Sequence, residues 1–328
     1  MINKFERIIQ MLRIREWLFS KIPFMFIPLV LYISSEPSIL VKKELLLCVT
    51  YFVYIFFFYG FGYAINDYSD REIDKKVGKM NIMGELSNIK SIFILMILVM
   101  GCIPFIIVNL KWQTFISIGF VYYWGAAYSI RPFRFKERGI AGLLVSSLAQ
   151  RTIPLLPLLC ISVDIWGVLV LCGILGFFIG LRYILIHQYQ DIENDRKSGT
   201  STYISNGNHN IAALVYLCFS VECGLLLLLW FLYTLSALSR IVLIICTIQM
   251  LMSFYTVHNL YRKNYFLSYV CVPLEDVYNF YFPLVIAFPL AIQNPIWWIF
   301  ILLLILISAS KMIDKWKIAI FCITHWRN

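Results

Sequence analysis

Ten apolar stretches separated by short polar runs organise this chain, at residues 18–34, 44–65, 89–108, 112–130, 139–161, 164–187, 211–234, 238–259, 275–292 and 295–310. Each is continuously apolar, without the alternation of a barrel strand, and most reach the roughly 20 residues a helix needs to cross a bilayer. The pattern predicts an all-α membrane protein, a single polytopic domain over residues 1–328. Only Gln293, Asn294 and Pro295 separate the last two stretches, so the expected count is nine or ten spans. No low-complexity linker or soluble domain interrupts them.

Composition agrees with a chain whose main solvent is lipid: 61% hydrophobic residues, 14% charged residues and a mean hydropathy of +0.79, where soluble domains carry about a quarter charged residues. A net charge of +10 would point to nucleic acid in a soluble protein, but its placement points to a membrane instead. On the ten-span reading one set of loops holds just Lys42, Lys43, Lys111 and Arg240, while the opposite loops and both termini are basic. The positive-inside rule then puts both termini and the even-numbered loops in the cytoplasm. Nine spans would strand Lys311, Lys315, Lys317 and Arg327 on the wrong side. The nine cysteines lie scattered in apolar stretches with no paired spacing, so no disulfide framework or zinc site is expected. The basic N-terminal segment reads as the entry to a retained helix.

The chemistry lies in a repeat. Asp70-Arg-Glu72-Ile-Asp74-Lys-Lys-Val-Gly78 follows the second apolar stretch and Asp191-Ile-Glu193-Asn-Asp195-Arg-Lys-Ser-Gly199 follows the sixth, with Tyr68 and Tyr189 at matching positions upstream. Four spans separate the copies, so both reach the same membrane face, as in parallel internal repeats. Their six carboxylates, of 18 in the chain, exceed what bilayer anchoring asks for. Asn66, Asp70 and Asp74 recur every four residues, as do Asp191 and Asp195, so on a helix each set forms a row with a step of about 6 Å. Such rows of oxygen ligands suit Mg²⁺, which is held by a few carboxylates, waters and substrate phosphates. A diphosphate cannot sit beside bare carboxylates; metal ions bridging the two also stabilise it as a leaving group. Lys75, Lys76, Arg196 and Lys197 stand ready for phosphate or for anchoring, and Glu72 and Glu193 point off the ligand faces.

Asn66-Asp67-Tyr68-Ser69-Asp70-Arg71-Glu72-Ile73-Asp74 resembles the N-D-x-x-D-x-x-x-D motif of the UbiA superfamily of intramembrane prenyltransferases, and the Asp191–Gly199 segment is similar to that family's second motif. Tyr128-Ser129-Ile-Arg-Pro-Phe-Arg134-Phe-Lys136-Glu-Arg138-Gly139 resembles its loop after the fourth helix, and Arg13…Trp17…Lys21 its first-helix entry. The resemblance covers about residues 10–293. It implies nine core helices around a cavity, an extra C-terminal helix at about 295–310, and a cytoplasmic cap. It also implies two Mg²⁺ ions, one held by Asn66, Asp70 and Asp74 and one by Asp191 and Asp195. The expected reaction moves a prenyl group from a prenyl diphosphate to a lipophilic acceptor, aromatic or a quinone precursor.

Further substrate contacts follow from the same resemblance. Tyr128 offers an electron-rich face to an allylic cation, with Ser129 beside it. Arg13, Arg134 and Lys136 are phosphate candidates, and Asp67 an accessory to the first metal. Lys79 stands where the family usually has Arg, keeping charge but losing the bidentate fork; the prolines that usually follow are absent, so a looser loop is expected. Lys21, Arg151 and Arg182 fall near or within spans, where charge is costly and points to function; Arg182 is placed to reach the cavity below Asp191. His187 and Gln188 replace the Asn-Asp pair of the first motif, and His187 is a candidate proton acceptor. These departures leave room for a terpene cyclase that uses the same ionisation without an acceptor. A cation-coupled transporter also fits a repeat with membrane carboxylates, although the acids here lie at helix ends and not at the bilayer midplane.

Overall fold

A computed structural model describes residues 4–35, 41–78, 80–205, 207, 210–233, 237–263 and 274–324 of the chain. Every regular element among them is helical. A short α1 (Lys4–Met11) turns at Arg13 into α2 (Ile14–Ser35), which carries Pro23 and Pro28 in its interior. Then come α3 (Val41–Val77), α4 (Ile82–Glu85), α5 (Asn88–Met100), α6 (Ile103–Val108) and α7 (Trp112–Ser129). The next apolar stretch is irregular: α8 (Ile140–Ser147) runs into a π turn at Leu148–Thr152 and a 3₁₀ segment at Ile153–Cys160, where Pro154 and Pro157 remove helical donors. It is followed by α9 (Trp166–Gln190), α10 (Ile192–Ser198), α11 (Ile211–Tyr233) and α12 (Ala237–Lys263). Finally α13 (Leu274–Asp276) passes through a π turn into α14 (Phe282–Gln293), and α15 (Trp297–Thr324) ends the described chain.

Each of the ten apolar stretches is helical over most of its described residues. Among the described residues, seven helical runs are long and apolar enough to cross a membrane: 14–35, 42–76, 88–108, 140–160, 166–190, 211–233 and 297–314. The other three fall short. α7 has 18 residues, several of them Gly, Ser and Tyr, the apolar part of α12 is Arg240–Tyr255, and α14 has 12 residues beyond its π turn.

α3 carries the first acidic motif and α9 leads into the second, and the two helices end differently. The 37 residues of α3 extend about 55 Å, well beyond the ~30 Å apolar layer, so the first motif rides on the projecting end of one continuous helix. α9 stops at Gln190; Asp191, at φ −92° and ψ 2°, is the junction to α10. The second motif thus straddles a break, where the sequence pattern suggested a continuous helix. The terminal glycine of each motif has one cause. Gly78 and Gly199 both adopt φ +71°, the left-handed position past a helix end that glycine takes without steric cost. At the second, Gly199 N–H donates to the Arg196 carbonyl (3.4 Å) and Thr200 N–H to that of Asp195 (2.9 Å), a Schellman closure.

Around α3 and α9 the other helices form a bundle: α3 packs on α2, α6 and α7, and α9 on α8 and α11. α8 and α9 approach closely because a Cβ on Gly180 would lie 2.4 Å from the Ser147 carbonyl oxygen. Tyrosine hydroxyls serve carbonyls inside the bundle. Tyr59 donates to Gln150 O (2.7 Å), whose partner four residues on would be Pro154, with no N–H to give; Tyr54 donates to Pro154 O (3.2 Å).

Candidate functional site

A cavity of about 400 Å³ is lined by Asn66, Asp70 and Asp74 from α3 and by Asp191 and Asp195 from the α9–α10 junction. Tyr128 of α7, Arg134 and Lys136 of the following loop, Arg13, Lys21, and His187 and Gln188 of α9 complete the part of the lining that the sequence singled out. Residues more than a hundred positions apart meet here because α10 folds against α3.

The first row is held in a charged lattice. Arg134 Nη2 lies 3.0 Å from Asp70 Oδ1, and Lys136 Nζ donates to the same oxygen and to Asn66 Oδ1 at 3.2 Å. Ser129, fully buried at the end of α7, donates to Asn66 Oδ1 at 3.0 Å. Arg134 is fixed further by Glu137 (2.6 Å) and by the Ser129 and Ser69 carbonyls (3.3 and 3.4 Å). Burial pulls the Lys136 ammonium below the ordinary lysine range, and Asp70 beside it pulls the other way. Among the described residues, the non-glycine positions with left-handed backbone are Arg13 (φ +50°) and Arg134 (φ +37°). Such geometry costs on the order of 1 kcal/mol, and both residues that bear it are cavity arginines.

Asp74 is fixed by a residue the sequence reading passed over. Asn81 Nδ2 donates to Asp74 Oδ2 and to the Asp67 carbonyl, both at 2.7 Å, while its Oδ1 accepts from Gly84 N at 2.8 Å and caps α4. The loop after the first motif is thereby tied to the motif without prolines. In the second row His187 Nδ1 lies 3.0 Å from Asp191 Oδ2, and Thr202 donates to Asp195 Oδ2 at 3.0 Å. Thr200 and Thr202 also line the cavity, with Gln150, Tyr59, Tyr63 and Tyr183 farther along its wall. A polar residue a few positions past each motif was the available signal for Asn81 and Thr202.

Other predicted residues fall outside the lining. Asp67 sits 3.5 Å from Arg13, whose fork is mainly engaged by Glu16 at 2.7 and 2.6 Å. Arg196 is exposed, and so are Glu72 and Glu193, which the motif spacing had placed off the ligand faces. Lys79 and the Lys197 side chain lie outside the described residues. Arg182 does not reach into the cavity. Its guanidinium is gripped by Glu222 (2.7 and 3.0 Å) and Tyr278 (3.2 Å), with Glu275 at 3.9 Å, because that pairing lies within the helix packing and satisfies an otherwise costly buried charge. Glu222, a lone carboxylate within an apolar stretch, and the Glu275-Asp276 pair at the start of another were legible in the sequence.

The donors suit Mg²⁺: carboxylate and amide oxygens in two rows, with no thiolate among them. Among the described residues no three His, Cys, Asp or Glu side chains converge into a ready cage. That fits an ion which takes only one or two carboxylates and completes its shell with water and substrate phosphates.

A match to the UbiA prenyltransferase family spans residues 22–270. No curated protein sequence matches the chain. Several solved structures share its fold. A UbiA homolog from Archaeoglobus fulgidus bound to GPP and Mg²⁺ aligns with a TM-score of 0.61 at 15% identity, over 86% of this chain and 99% of its own. A structure described for digeranylgeranylglyceryl phosphate synthase gives 0.59 at 16% identity, over 86% and 98%. The apo UbiA homolog from Aeropyrum pernix K1 gives 0.55 at 14%, over 89% and 99%. Apolar helices of spanning length, two acidic motifs meeting in one cavity and a family match over most of its length converge: this integral, multi-pass membrane protein belongs to the UbiA prenyltransferase family.

Proposed function

We propose that the chain is a Mg²⁺-dependent intramembrane prenyltransferase, moving a prenyl group from a prenyl diphosphate to a lipophilic acceptor. The observation that carries this reading is the meeting of both acidic rows with Arg134 and Lys136 in one cavity whose far wall is apolar and aromatic. The fold relative bound to GPP and Mg²⁺ supports it. On the ten-span topology the site faces the cytoplasm under a cap made by the loops after α3 and α9, and the prenyl tail extends toward lipid.

Asn66, Asp70 and Asp74 would hold one Mg²⁺, and Asp191 and Asp195 a second. When bound, the ions neutralise the diphosphate and make it a better leaving group. Arg134 and Lys136 grip phosphate oxygens, with Arg13 at the rim. As the allylic C–O bond breaks, the Tyr128 ring faces the developing cation, which it stabilises without attacking. The apolar wall of Phe58, Gly125 and Ala149 keeps water from the cation, so the acceptor captures it. The acceptor's proton passes to His187, oriented by Asp191 at the mouth.

The test is purified protein with C10, C15 and C20 diphosphates and an acceptor panel, followed by pyrophosphate release and product mass spectrometry. Mg²⁺-dependent release coupled to a prenylated acceptor is expected. Asp70→Asn should slow turnover at least about a hundredfold while the protein remains inserted. Release that ignores Mg²⁺ would overturn the assignment; a hydrocarbon formed from donor alone would replace it with a cyclase.

A further inference from the structure

The two acidic motifs match beyond their carboxylates. Gly78 and Gly199 stand four residues past Asp74 and Asp195 and share a backbone φ of +71°. Asn81 and Thr202 stand seven residues past the same two carboxylates, and each donates to one of them. Asn81 Nδ2 reaches Asp74 Oδ2 at 2.7 Å, and Thr202 Oγ1 reaches Asp195 Oδ2 at 3.0 Å. In both copies the helix ends, the chain reverses at a left-handed glycine, and a polar side chain returns to the last carboxylate of the row.

Thr202, which is buried, is itself held in place. Ser205 N–H donates to Thr202 Oγ1 at 3.3 Å, while Thr202 N–H donates to Ser205 Oγ at 2.7 Å. The single hydroxyl proton of Thr202 has two oxygens in reach, Asp195 Oδ2 and Ser205 Oγ at 3.1 Å. The carboxylate is the stronger acceptor, and the bond that Thr202 Oγ1 accepts strengthens the one that it gives. Two residues on, Ile204 is buried with Ile184, Leu185 and Ile211 in an apolar cluster between α9 and α11. The loop can leave Asp195 only by pulling Ile204 out of that cluster. The Asn81 segment has separate anchors: Met83 is buried in the main core, and Asn81 Oδ1 caps α4.

Mg²⁺ takes few protein ligands, so each carboxylate has to be presented in one orientation, which is the work of the hydrogen bonds behind it. A carboxylate has about four lone-pair sites, so one spent on a clasp still leaves capacity for an ion. The two clasps spring from different loops fixed in different apolar clusters, and neither depends on the other.

Resting on the transferase reading, we propose that Thr202 is the positioning residue of the second metal site, that Asn81 does the same at the first, and that the two sites are set independently. Thr202 acts through Asp195. The repeat that carries the chemistry thus extends past its glycine, as D-x-x-x-G-x-x-[NT].

The experiment counts ions instead of products. Purified full-length protein is titrated with Mn²⁺ in place of Mg²⁺, in the presence of geranyl thiolodiphosphate, a donor analogue that resists ionisation, and free Mn²⁺ is read by electron paramagnetic resonance. The wild type should bind two ions per chain. Thr202→Val keeps the shape of the side chain and loses the hydroxyl. One ion should bind to it as to the wild type, and the other about ten- to a hundredfold more weakly; Thr202→Ser should keep both. Asn81→Ala should also weaken one ion, and the double variant Asn81→Ala/Thr202→Val both, because the clasps serve different sites. Two tight ions in Thr202→Val, equal weakening of both ions there, or an equal loss in Thr202→Ser would overturn the proposal and leave the transferase reading standing. So would one tight ion remaining in the double variant, or a wild type that binds a single ion. A wild type that binds no Mn²⁺ with the donor analogue would sink the transferase reading, and this inference with it.

Discussion

Arg182 and Glu222 form a fully buried ion pair between α9 and α11, with nitrogen–oxygen distances of 2.7 and 3.0 Å and relative exposures of 1% and 0%. Removing one partner leaves the other charge with no water to turn to, at a cost of roughly 3–5 kcal/mol. The two single variants should differ. Arg182→Met leaves Glu222 unpaired and should cost the full amount, a factor of about 10² to 10⁴ in the folding equilibrium. Glu222→Met leaves Arg182 with Glu275 at 3.9 Å and the Tyr278 hydroxyl at 3.2 Å, so its cost should fall at the lower end. The double variant, apolar at both positions, should recover at least about 2 kcal/mol relative to the sum of the singles. Equilibrium unfolding by sodium dodecyl sulfate in mixed micelles measures these differences. Because Arg182 lies outside the cavity lining, any Arg182→Met protein that remains folded should bind geranyl diphosphate nearly as wild type does. An Arg182→Met protein of unaltered stability with a donor KM raised tenfold would refute the reasoning and put Arg182 back among the substrate contacts.

Asn81→Ala removes two hydrogen bonds that orient the first motif, one of them to Asp74. It should raise the Mg²⁺ concentration for half-maximal pyrophosphate release about ten- to a hundredfold, read from a metal titration; an unchanged half-point would mean that Asp74 is oriented by other contacts. Gly180→Ala places a methyl 2.4 Å from the Ser147 carbonyl oxygen, forcing α8 from α9. A loss of about 1–3 kcal/mol in the same unfolding assay is expected, together with weaker donor binding, since Ser146, Ala149 and Gln150 of the displaced segment line the cavity.

The sequence by itself determined the helical elements and brought forward many of the polar residues that line the cavity. Continuous apolar runs have one stable form in lipid, a helix that satisfies its own backbone, so the ten stretches were legible, and each is helical over most of its described residues. The four-residue recurrence of Asn66, Asp70 and Asp74 placed them on one face because the period belongs to the helix itself. What only the tertiary structure decided are the relations between helices. Arg134 and Lys136 of a loop, and Ser129 at the end of α7, lock onto Asp70 and Asn66 from some sixty residues on, and Asn81 clasps Asp74 from a turn whose conformation no periodicity encodes. Arg182, a substrate contact by its position along α9, is consumed by Glu222, because in a medium without water a buried cation goes to whichever anion the packing brings nearest. Among the described residues Lys21 meets no such anion within ion-pair distance, only the faces of Tyr59 and Tyr63. That difference between two intramembrane cations arises from the three-dimensional arrangement of helices, which is why the linear pattern treated them alike.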